Sequence, residues 1–69
     1  MKYYVLEIHV DVEPFLHGAY RSEARRDWQA RRLRDNDHEE RNGLFWLNVM
    51  TGGDAIIGFY SRAELDDNP

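Results

Sequence analysis

The chain contains no cysteine, which excludes disulfides and thiolate zinc sites and removes the most reactive side-chain nucleophile. Stability must therefore come from packing or from a partner, and a small domain without disulfides points to the cytoplasm. Long hydrophobic runs are missing as well. No stretch approaches the roughly 18 apolar residues of a membrane span, and Met1-Lys2-Tyr3-Tyr4 enters a strand pattern directly, without the apolar core of a signal peptide. We expect a cytoplasmic protein that makes no membrane contact. Proline is scarce, at two residues, and no repeat, linker or low-complexity segment interrupts the chain, so residues 1–69 read as a single domain. At 69 residues that domain sits near the lower size at which a hydrophobic core holds without help. With 42% apolar and 32% charged residues, it is composed to fold rather than to stay disordered.

The charge that is present is unevenly placed. Six arginines between Arg21 and Arg34 face only Glu23 and Asp27, whereas Asp35, Asp37, Glu39 and Glu40 follow within six residues. One half of the segment is locally basic and the other acidic, inside a chain of net charge -4.

Hydrophobic periodicity locates the elements. Tyr3 to Val10 alternates as a strand, with Tyr4, Leu6, Ile8 and Val10 on an apolar face and Tyr3, Val5, Glu7 and His9 on a mixed one. Pro14 and Gly18 break both periods between Asp11 and Tyr20, predicting an irregular connection pinned by Phe15, Leu16 and Tyr20. Ser22 is placed to cap a helix over Glu23 to Arg34, with Glu23 at the positive end of the dipole. The apolar stripe of that helix is poor. Trp28 and Leu33 cannot both face one sheet, so either arginine stems flank a wide buried face or one of the two is exposed, with Trp28 the better contact residue. Leu44 to Met50 predicts a second strand, Thr51-Gly52-Gly53-Asp54 a tight turn, and Ala55 to Tyr60 a third strand in which Gly58 marks a bulge or a close backbone approach. Ser61-Arg62-Ala63-Glu64 matches a capping box. The expected fold is α+β: β-α-β-β, a three-stranded antiparallel sheet of the split βαβ type, with the third strand between the first two and one helix packed on one face. The face opposite the helix, read as carrying Trp46 and Met50, is then open to a partner or to a second copy of the chain.

No arrangement carries evident catalysis. His9, Asp11 and Glu13 alternate and would share metal-ligand chemistry on a strand face, but Pro14 and the strand end favour a solvated polar edge. Ser22 and Ser61 are placed as caps rather than as activated hydroxyls. Gly52-Gly53 links two strands and opens no helix, so it does not cradle phosphate. We expect no enzyme, no cofactor and no metal. Nucleic-acid binding through Arg25, Arg31, Arg32 and Arg34, with Trp28 stacking on a base, is the alternative. The pI of about 5.2 and the adjoining acidic run oppose it.

Gly18-Ala19-Tyr20-Arg21-Ser22-Glu23 to Arg26-Asp27, together with Gly43-Leu44-Phe45-Trp46-Leu47-Asn48-Val49, resembles small proteins encoded by phages and other mobile elements. In these, a Gly-Pro-aromatic turn, a Ser/Thr cap and a charged helix precede a final hairpin; Ala19 here takes the place of the usual proline. Among such proteins the anti-CRISPR inhibitors are a prominent class. The resemblance implies a non-enzymatic inhibitor that binds a host CRISPR effector complex and blocks nucleic-acid access. The residues expected at the protein interface are Arg25, Trp28, Arg31, Arg32, Asp35, Asp37, Glu39 and Glu40.

Overall fold

Six elements follow one another in the computed structural model, which describes residues 1–37 and 42–66: β1 (Lys2–Ile8), β2 (Phe15–Tyr20), α1 (Glu23–Asn36), β3 (Gly43–Val49), β4 (Ala55–Phe59) and α2 (Arg62–Asp66). The architecture is α+β, with one main helix on a wholly antiparallel sheet, but the sheet has four strands, in the order β2-β1-β3-β4. Two expectations are corrected. The segment read as an irregular connection supplies an edge strand, and β3, not the last strand, lies beside β1. A split β-α-β unit is present, but β2 and β3 are its outer strands and β1 runs between them.

β2 escaped the periodicity because its register with β1 shifts between Tyr3 and Tyr4. Gly18 occupies the shift at φ 133°, where a Cβ would lie 2.9 Å from both the Tyr3 carbonyl oxygen and the Tyr4 ring. The irregularity that hides the strand from alternation is what fits it to the edge of β1. β1 itself stops at Ile8, and Val10 is exposed in the loop beyond it.

The helix begins as expected, the Ser22 hydroxyl accepting from the Arg25 amide at 3.2 Å, and ends two residues past Arg34, at Asn36. The capping box of α2 is complete: Ser61 Oγ accepts from the Glu64 amide at 3.1 Å and Glu64 returns a carboxylate to the Ser61 amide at 2.9 Å. Between β3 and β4 the turn closes with Gly53 at φ 96° and the Met50 amide on the Asp54 carbonyl at 2.8 Å.

Which face α1 covers reverses the expected assignment. Tyr3, Val5 and Glu7 of β1, the mixed face, pair with Asn48, Trp46 and Leu44 of β3 and lie beneath the helix. The buried apolar set is small, namely Val5, Ala30, Leu44, Tyr60 and Leu65, with Tyr20, Leu33 and Trp46 packed around it. α2 packs on α1, so both helices share that side of the sheet. The uniformly apolar face of Tyr4, Leu6 and Ile8, continued by Phe45, Leu47 and Val49, is the one left without a helix, and Trp46 does not belong to it. A 14-residue helix with few apolar side chains cannot cover a wholly apolar face. It can cover one that carries its own polar partners for an inward arginine.

Candidate functional site

The inward stripe of α1 is Arg26, Ala30 and Leu33, at helical spacing i, i+4 and i+7. Arg26 is only 6% exposed, and burying a guanidinium is tolerable only where its charge and its donors are all met. Its Nε donates to Asp27 Oδ1 and to the Tyr60 hydroxyl, each at 3.0 Å, and its Nη1 donates to Asn48 Oδ1. Tyr60 in turn donates to Asp27 Oδ1 at 2.5 Å, which closes a triangle of arginine, carboxylate and phenol. The guanidinium carbon also lies 5.6 Å from the Tyr3 ring centre and 5.5 Å from that of Trp46. Asp27 thus pairs with its sequence neighbour.

Burial first, then the hydrogen bond to Asp27 and the charge of Asp27, push the Tyr60 hydroxyl well above its ordinary 10.0, with Arg26 opposing. Burial pulls Arg26 down, but its bond to Asp27 and the charges of Tyr60 and Asp27 outweigh this and leave it raised. A phenol whose folded value is raised contributes stability that is complete below the unfolded value and is lost as pH climbs past it. The melting temperature is therefore expected to fall as pH rises above 10.0, and Tyr60→Phe to flatten that fall. In an absorbance titration of the folded protein, Tyr60→Phe should remove ionisation only from the range well above 10.0; loss of a step near 10.0 would contradict the buried triangle.

A buried acid lies at the other end of the sheet. Glu7, 8% exposed, receives Asn42 Nδ2 on Oε2 at 2.8 Å, and its Oε1 lies 3.0 Å from His17 Nε2 and 3.5 Å from His9 Nε2. His9 therefore faces its own strand and does not form a ligand set with Asp11 and Glu13, which are exposed in the loop after β1. Among the described residues no group of three or more histidine, aspartate or glutamate side chains is arranged to hold a metal ion.

The residues expected at an interface divide. Arg25, Trp28, Arg32 and Asp35 recur at i, i+3, i+7 and i+10, and all are exposed on the side of α1 away from the sheet. Trp28, 46% exposed, has the Arg32 guanidinium 4.9 Å and the Arg25 guanidinium 5.6 Å from its ring centre. Arg31 departs from this group. It lines a cleft of about 190 Å³ together with Tyr60, Trp46 and Glu64, and its buried Nε has no hydrogen-bond partner among the described residues. Asp37 accepts from the Asn42 amide at 2.8 Å and caps the helix exit. Glu39 and Glu40 lie outside the described residues.

No family model matches the chain, and neither a curated protein nor a solved structure matches it. Among the described residues no helix is long and apolar enough to cross a membrane. Function has to be argued from these side chains alone. The Arg26 network was missed in the sequence because arginine was assigned to solvent. The signal was available in the i, i+4, i+7 spacing of Arg26, Ala30 and Leu33, a stripe on which the small Ala30 lets the helix approach the sheet.

Proposed function

We propose that this chain is a non-enzymatic protein-binding module whose docking surface is the outer side of α1, centred on Trp28. The observation that carries this reading is the indole left in solvent between two guanidiniums on a helix anchored by Arg26 beneath it. Tryptophan and arginine are the side chains most often found to dominate protein interfaces. Here the ring is held by its neighbours before any partner arrives, which lowers the ordering cost of binding. Asp35, two turns on from Trp28, adds an acceptor at the rim. The buried titratable groups have structural partners already, Arg26 with Asp27 and Tyr60, Glu7 with His17 and Asn42.

The partner suggested by the sequence resemblance is a CRISPR effector complex, which the chain would inhibit by occluding the path of nucleic acid. A purified effector complex titrated with the chain in a calorimeter tests this. Binding is expected to weaken at least about 30-fold in Trp28→Ala, the loss corresponding to about 2 kcal/mol for a central anchor, with the melting temperature unchanged. Equal affinity of the two proteins would remove Trp28 from the interface, and no binding by either would remove this partner. The competing reading is a nucleic-acid module. A base stacking on Trp28 would compete with the two arginines for the ring, and salt-sensitive quenching of Trp28 by oligonucleotides would establish that reading instead.

A further inference from the structure

The sheet face away from the helices is the largest feature that the proposed function leaves unused. Every ladder position on it is apolar or glycine except Lys2, at a corner. Leu6, Phe45 and Leu47 form its centre, and Leu16, Ile57 and Phe59 continue it across both edge strands. At those margins Leu16 is 50%, Ile57 54% and Phe59 62% exposed, although Phe59 already stacks edge-on against Phe45 at 5.2 Å. Four strands spaced about 4.8 Å apart and some six residues long give a footprint on the order of 400 Å², the size at which the largest apolar patch of a small protein is often a functional surface.

From these observations we infer that the face is covered by a second copy of this chain, packed sheet against sheet, with both α1 helices turned outward. Surface area is the first support. The folded chain exposes 5096 Å², whereas a monomer of 8.2 kDa is expected to expose only about 4,500 Å². Two copies packed over this footprint bury on the order of 800 Å² together, the size of a weak, concentration-dependent dimer. Shape is the second. The molecule is a slab of 37 × 32 × 16 Å, one sheet and one helical layer thick, and the natural complement of a twisted sheet is another sheet of the same twist, aligned within about 30°. Charge is the third. A nucleic acid or a basic groove needs charge opposite it, and this face offers one lysine at its corner, whereas an isologous interface asks only that the surface complement itself. Residues 38–41 and 67–69 include no large apolar side chain.

Sedimentation equilibrium on the intact chain, from about 1 μM to 1 mM, tests the inference. The expected mass is twice 8.2 kDa, with a melting temperature that rises with protein concentration, as mass action requires. The double variant Ile57→Lys/Phe59→Lys places two charges on side chains that are exposed in the single chain; it should sediment at half the wild-type mass. Trp28→Ala, on the opposite surface, should stay dimeric, so loss of the proposed partner and loss of the dimer are told apart. A wild-type chain that remains at 8.2 kDa at every concentration would leave the face to some other occupant and overturn the inference, as would a dimer that survives both lysines. Should the double variant fail to fold, Leu16→Lys on the far edge strand serves in its place, and the concentration dependence of the wild-type melting temperature stands independently of any variant.

Discussion

Arg26→Ala is expected to cost about 3 kcal/mol of folding free energy, the low end of the range for breaking a buried charge pair, because the Asp27 side chain is 31% exposed. Three groups lose a donor at once, the Asp27 carboxylate, the Tyr60 hydroxyl and the Asn48 amide oxygen, although Asp27 keeps the Tyr60 hydroxyl. The cation also leaves the rings of Tyr3 and Trp46. A domain of 69 residues holds only about 3–10 kcal/mol in total, so the loss is a large share of its stability. Urea denaturation at a fixed protein concentration measures the loss. Arg26→Lys should recover only part of it, because an ammonium keeps the charge but cannot present the guanidinium fork to three acceptors. Arg26→Met combined with Asp27→Ala should be milder than Arg26→Ala, since it removes the stranded carboxylate together with its partner. A single Arg26→Ala variant that melts within 2–3 °C of the parent, less than 1 kcal/mol for a domain of this size, would show that the network contributes little.

Gly58→Ala is expected to destabilise by about 2–4 kcal/mol, although replacing glycine by alanine within a strand ordinarily stabilises by roughly 0.5–1 kcal/mol. Across the β3–β4 ladder Gly58 lies opposite Trp46, and an added Cβ would fall 2.2 Å, 2.3 Å and 2.6 Å from atoms of its indole. An indole is a rigid plate, so relief requires moving the whole ring. Either the core is overpacked, at about 1–3 kcal/mol, or Trp46 swings out and gives up its burial and its contact with Arg26. Combining Gly58→Ala with Trp46→Leu tests the cause. If the clash is with the ring, the double variant should lie closer to Trp46→Leu than the sum of the two single losses by more than 1 kcal/mol, a coupling that distant sites do not show. Simple additivity would place the cost of Gly58→Ala elsewhere. Gly58 also explains why a tryptophan is tolerated under this helix, since the missing side chain is the space in which the ring lies.

Legibility varied with how local the determining interaction was. Caps and turns could be read residue by residue: Ser22, the Ser61 to Glu64 box and Gly53 each act on backbone groups within a few positions. The strands with regular alternation were equally plain, and β2 was not, because its alternation is broken by the same Gly18 irregularity that lets it dock. In the candidate interface, exposure of Trp28 follows from the weak apolar stripe of α1, whereas Arg31 and Asp37 were grouped with it by charge alone. The structure draws Arg31 toward the Tyr60 cleft and Asp37 toward Asn42, contacts that depend on residues far along the chain or on the path of the turn.

The sequence by itself determined that this is an α+β chain with one long, bipolar helix, no cysteine chemistry and no apolar span, because composition and short-range periodicity act without reference to the rest of the molecule. Only the tertiary structure decided which sheet face the helix takes. Alternation pointed to the wholly apolar face, but a helix that brings Arg26 inward needs Asn48, Tyr60 and Trp46 opposite it, and those groups lie on the mixed face. Satisfying one buried charge therefore outweighed covering the most hydrophobic surface. It left that surface, Leu6, Phe45 and Leu47 at its centre, open on the other side of the sheet.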